Sequence, residues 1–144
     1  MLVHSGFCFC TVLSCVSRAS TFYMARPTFI IAEPEPEQAL SARKLVIETA
    51  KFNVITAHSR QELREFLDRY PNVEAVIVHT RLEPGRQGAV CEEVRERVPD
   101  KKIIAISPRR GEAQSADYEL DSHDPEQLVD LLRELFGDPR KVAA

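Results

Sequence analysis

Thr28-Phe29-Ile30-Ile31-Ala32-Glu33-Pro34-Glu35-Pro36 sets the frame in which the rest of the chain is read. TFIIA is a short, largely apolar run of strand length, which suits a parallel strand buried on both faces. Glu33 ends it, and two prolines follow. Each proline restricts the residue before it and lacks an amide proton, so no helix starts until after Pro36. From that point strand-like and helical segments alternate.

Glu37 to Ala50 reads as a helix, with Ala39, Ala42, Val46 and Ala50 in one stripe. Asn53 to Ala57 is a second strand. Ser59-Arg60-Gln61-Glu62 is a capping box that opens a helix carrying Leu63, Phe66, Leu67 and Tyr70. Ala75 to Val78 is a third strand ending at His79. The loop Thr80 to Gly88 holds the turn signal Pro84-Gly85. Ala89, Val90, Val94 and Val98 mark a third helix, and Lys102 to Ser107 a fourth strand. Only the nine residues Pro108 to Ala116 then precede a fifth strand, Asp117 to Leu120. Parallel crossovers usually take a dozen or more residues, so the fourth helix is expected to be shortened or missing. Asp124-Pro125-Glu126-Gln127 opens the last helix with an N-cap and a proline at the first position. Leu128, Leu131, Leu132, Leu135 and Phe136 form its apolar face, and Gly137 suits its end.

The expected fold is α/β: a flavodoxin-like, five-stranded parallel sheet in the order 2-1-3-4-5 with helices on both faces. In that order a crevice opens at the carboxyl ends of strands 1 and 3. It would hold Glu33 and His79, with Ser107 beside them.

The domain is expected over residues 26–138, with an N-terminal extension at 1–25 and a tail at 139–144. With 144 residues, 44% apolar and 28% charged, the chain has enough for one domain with a core. A net charge of −3 and no basic run beyond a pair give no footprint for nucleic acid. The apolar stretch Gly6 to Val16 is well short of the about 20 residues that span a membrane. Residues 1–23 carry one charged side chain, Arg18, and three of the four cysteines. They read as a disordered extension, as an export signal lacking its positive start, or as a misplaced start ahead of Met24. Cys91 alone in the body fits a small buried side chain in a reducing, cytoplasmic compartment. Neither a nucleophile–base pair nor a glycine-rich phosphate loop marks an enzyme.

Four segments, TFIIAEPEP, AVIVHTRLEPG, KIIAISP and ADYELDSHDPEQL, together resemble the receiver domain of two-component response regulators, over Arg26 to Phe136. The resemblance also implies which chemistry is lost. The acidic pair that holds a divalent cation in receivers stands here as Glu33-Pro34, and the phosphoacceptor Asp as His79. The hydroxyl residue is kept as Ser107. The phosphate-binding Lys stands as Asp121, and the proline after it as Ser122. An Asp in place of Lys sets a like charge beside any bound dianion. Glu33, Pro34, His79, Ser107 and Asp121 thus outline a degenerate pocket, with Mg²⁺ binding weak or absent and no other cofactor.

The function so implied is a stand-alone pseudo-receiver in phosphorelay signalling. It would act through contacts with a histidine kinase, another signalling protein or a second copy, and bind neither membrane nor nucleic acid. Tyr118 occupies the family's partner-face aromatic position, as an anchor or as ordinary packing. Two other readings stay open: a phosphorylatable single-domain regulator with an atypical site, and a domain binding a metal or small ligand at Glu33, His79 and Asp121. His79 is expected to be partly ion-paired with Glu33 and so to respond to pH. Ser107 is expected to satisfy a backbone group, and His58 and His123 to be solvated.

Overall fold

Five strands lie parallel in one sheet, in the order β2-β1-β3-β4-β5, in the computed structural model, which describes residues 26–37, 41–109, 111 and 115–141. They are β1 (Thr28–Ala32), β2 (Asn53–Ala57), β3 (Ala75–His79), β4 (Lys102–Ser107) and β5 (Tyr118–Asp121). Among the described residues four helices accompany them: α1 (Ala42–Thr49), α2 (Arg60–Arg69), α3 (Gln87–Arg97) and α4 (Pro125–Phe136). A single 3₁₀ turn, Thr80–Leu82, follows β3. This is the flavodoxin-like order expected from the alternation. Expectations about residues 1–25, Ala39, Arg110 and the tail beyond residue 141 lie outside the described residues.

The core consists of two layers, one on each side of the sheet. Phe29, Ile31, Ile77, Ile104 and Ile106 face α1 and α4, where Ile47, Leu128 and Leu132 meet them. Ile30, Val76, Val78 and Ile103 face α2 and α3, where Leu63, Leu67, Val90 and Val94 meet them. Strand side chains alternate between faces, so a run apolar at every position fills both layers. Cys91 is buried in the second layer, and burial pushes its thiol up to about 11, which leaves it unreactive.

Several element ends differ from the expectation, each for a local reason. The first helix does not start at Glu37, which lies in a turn; it starts at Ala42, where the Ser41 hydroxyl accepts from the Lys44 amide. Its buried stripe runs through Ile47 and Ala50, while Ala42 is exposed. The capping box of α2 is one residue wider than its pattern. Ser59 accepts from the Glu62 amide, but the Glu62 carboxylate reaches the amide of His58. The fifth strand runs from Tyr118 to Asp121, one residue later than read; Asp117 stands just before it, its amide donating to the Ile103 carbonyl and its carboxylate accepting from the Ile103 amide. Between β4 and β5 no helix occurs among the described residues.

Candidate functional site

The carboxyl ends of β1, β3, β4 and β5 bring Glu33, His79, Ser107 and Asp121 to one edge of the sheet. Alternation then sorts them. Phe29 and Ile31 face α1, so Glu33, two residues on, lies on the α1 side of β1. Ile77 places His79 on the same side of β3. Ser107, two residues on from Ala105, falls on the other side.

Glu33 is buried, at 2% exposure, and would be costly there as a lone charge. Its partner comes from α1. Arg43 Nε donates to Glu33 Oε2 at 2.9 Å, and Arg43 Nη1 donates to the carbonyl of Ser122 at 3.2 Å. The amide of Ser122 donates in turn to the Ser107 carbonyl at 3.0 Å. A string of polar contacts therefore runs from β1 through α1 to the loop after β5 and back to β4. The second carboxylate oxygen, Glu33 Oε1, is buried with no hydrogen-bond partner. Arg43 thus supplies the compensation for this charge. Pro34 and Glu35, which follow, are both exposed.

His79 is 5% exposed, and its Nδ1 accepts from the Arg81 amide at 3.0 Å. A neutral ring bonded in this way carries its proton on Nε2. Burial lowers its pKa from 6.5 to about 4, and the nearby Arg43 and Arg81 charges act in the same sense, against an opposing pull from Glu33. The expected ion pair between His79 and Glu33 is therefore corrected. The Glu33 carboxylate is taken by Arg43, and His79 is neutral throughout the physiological range rather than a sensor within it.

The other end of the edge is built differently. Ser107 is buried, and its hydroxyl accepts from the Arg109 amide and donates to the Arg109 carbonyl at 2.5 Å, closing a turn. The Asp121 side chain is 55% exposed, and its Oδ1 accepts from the amide of His123 at 2.8 Å and lies 2.9 Å from the ring Nδ1. His123 is exposed, as is His58, whose ring reaches the Glu33 carbonyl at 3.2 Å. Tyr118 is half-buried and packs with Leu120 against the α1/α4 core. A shallow hollow of about 210 Å³ lies between β4, β5 and α4, with Glu119 and Asp121 in its wall. Carboxylates in that wall disfavour a phosphoryl group.

Tertiary structure thus joins Glu33 and His79 under α1, while Asp121 Oδ1 meets the amide and ring of His123. Among the described residues no three His, Cys, Asp or Glu side chains gather as a metal-ligand set. The donors at the β1–β3 crevice do not fit a divalent cation either. One carboxylate points inward there, a guanidinium sits on it, and the neighbouring imidazole has spent its free nitrogen on an amide.

Sequence reading missed Arg43. Its signal was the stripe of α1 itself: Arg43, Ile47 and Ala50 follow one another at four- and three-residue spacing, so a charge stands in line with the buried face.

No family profile and no curated protein matches the chain. Solved structures do. A response regulator from Thermotoga maritima superposes with a TM-score of 0.65 at 23% identity, over 77% of this chain and 98% of that one. A CheY-like receiver domain from Methylobacillus flagellatus gives 0.65 at 18% identity, over 77% and 99%. A response regulator receiver protein from Pseudomonas putida gives 0.65 at 18%, over 76% and 98%. At these identities the likeness establishes the fold, and the fold is that of a receiver domain. None of the helices among the described residues is long and apolar enough to cross a membrane.

Proposed function

We propose that this chain is a degenerate receiver of phosphorelay signalling, acting in the cytoplasm through protein contacts and not as an enzyme. The observation that carries the reading is the end of β3. There the chain presents His79, a buried neutral imidazole whose Nδ1 is engaged by the Arg81 amide. A phosphoryl group would need charge neutralisation on its oxygens. The crevice offers a guanidinium already paired with Glu33, and Asp121 adds negative charge at the same edge. Mg²⁺ and phosphorylation are accordingly not part of its working cycle. The partner is a signalling protein such as a histidine kinase, or a second copy of the chain. β5 and α4 are the elements offered to it, because the short β4–β5 connection leaves that corner without a covering helix among the described residues.

The test is intact mass spectrometry of the chain after incubation with a small phosphodonor and Mg²⁺. An unchanged mass is the expected result. A stable added phosphate would sink the reading, and peptide mapping would then locate the acceptor.

A further inference from the structure

We infer that Arg43 is a tethered cation, which stands where a metal ion would neutralise Glu33 and ties the carboxyl edge of the sheet into one arrangement. The inference rests on the degenerate-receiver reading and adds the residue that makes the crevice self-sufficient. Three observations carry it. Glu33 is a carboxylate at 2% exposure, with one oxygen unpartnered, so its charge depends on whatever meets the other oxygen. That partner is the Arg43 guanidinium, at 2.9 Å. The same guanidinium reaches the Ser122 carbonyl at 3.2 Å, so one side chain spans the end of β1 and the loop after β5. A planar fork with several donors suits such bridging, and a solvated ion would have to shed water to replace it. A diffusible ion comes and goes with concentration, whereas a side chain anchored on α1 does not. The edge is therefore held in one state without a chemical input.

A double-mutant cycle tests this, with thermal unfolding followed by circular dichroism for the wild type, Arg43→Met, Glu33→Gln and the double variant. Arg43→Met strands a buried carboxylate, so its midpoint is expected to fall by on the order of 10 °C. In the Glu33→Gln background the same change is expected to cost less than half as much, because no charge is left to neutralise. If Arg43→Met does not fold, the cycle is run with Arg43→Lys, which keeps the charge and loses the fork. Losses that simply add would overturn the inference. Mn²⁺ binding is measured in parallel by water-proton relaxation. The wild type is expected to give no enhancement, and binding that disappears in Glu33→Gln would overturn the inference as well. Neither readout involves a phosphodonor. An added phosphate in the mass experiment would sink the functional reading, while additive losses or Mn²⁺ at Glu33 would sink the tethered cation alone.

Discussion

Glu33 and Asp121 are carboxylates at the same edge of the same sheet, and they meet opposite fates. Glu33 lies beneath α1, at 2% exposure, and is neutralised by a residue of that helix. Asp121 ends β5, its side chain 55% exposed, and bonds within its own loop to the amide and ring of His123. The difference follows from the connections. β1 leads into a helix that folds back over the strand ends, which excludes water and forces any charge there to be paired. The β4–β5 connection has no helix among its described residues, and the polar groups of β5 satisfy nearby backbone amides instead. Asp117 at its start is part of this pattern, accepting from the Ile103 amide and pairing with Arg95 at 2.8 Å. Burial raises the Asp117 pKa, but these two partners outweigh it and hold the carboxyl below its usual range. Beneath α1 the buried charge is held by a guanidinium, whereas the exposed carboxylates of the β4–β5 region also accept from backbone amides.

Acid breaks the contrast most strongly, through His79. Folded, the ring takes up a proton only near pH 4, whereas unfolded it does so near 6.5. Between these values the unfolded chain binds protons that the folded one refuses. Stability is therefore complete above about 6.5 and falls as pH drops toward 4, by on the order of 3 kcal/mol. Urea unfolding between pH 7.5 and 4.5 should show this slope in the wild type and not in His79→Gln. Equal slopes would mean that the ring is not held neutral. Glu93 and Asp117, both held below their ordinary values of 4.5 and 3.8, add losses of the same sign as pH approaches those values, so the difference between wild type and His79→Gln isolates the ring.

Asp117→Ala gives the next largest effect. It leaves the amide of Ile103, a wholly buried residue, without its acceptor and frees Arg95. A loss of about 1–2 kcal/mol is expected by chemical denaturation, together with faster amide exchange at Ile103. A change below about 0.5 kcal/mol would show that the entry to β5 does not rely on this cap.

Asp121→Ala should do least. Its side chain is 55% exposed and its contacts with His123 are local, so stability should move by no more than about 0.5 kcal/mol. A loss comparable with that at Asp117 would show that Asp121, too, is tied firmly into the fold.

Much of this architecture was legible in the chain. Apolar runs at Thr28–Ala32, Ala75–His79 and Lys102–Ser107 are strands buried on both faces, and their last residues fall at the carboxyl edge, where Glu33, His79 and Ser107 were expected. The short β4–β5 connection was legible too, since it has no room for a packed crossover helix. Other features were not. The start of α1 was hidden because the chain between Pro36 and Ser41 carries no strong stop, and the cap at Ser41 competes with several polar neighbours. The site was legible as a set of positions and illegible as a set of bonds.

Sequence alone determined the succession of strands along the chain and the residues that end them, His79 among them. These depend on short continuous apolar runs and on turn residues, which neighbours in the chain decide. Tertiary structure alone decided that Glu33 pairs with Arg43, ten residues away, and that Arg43 also holds Ser122, 79 residues away. Those contacts depend on how α1 lies against the sheet beside α4. That packing is set by Ile47, Leu128 and Leu132 filling one layer of the core, and no local pattern carries it. A buried charge takes the partner that packing delivers, and here packing delivered a guanidinium where His79 had been expected.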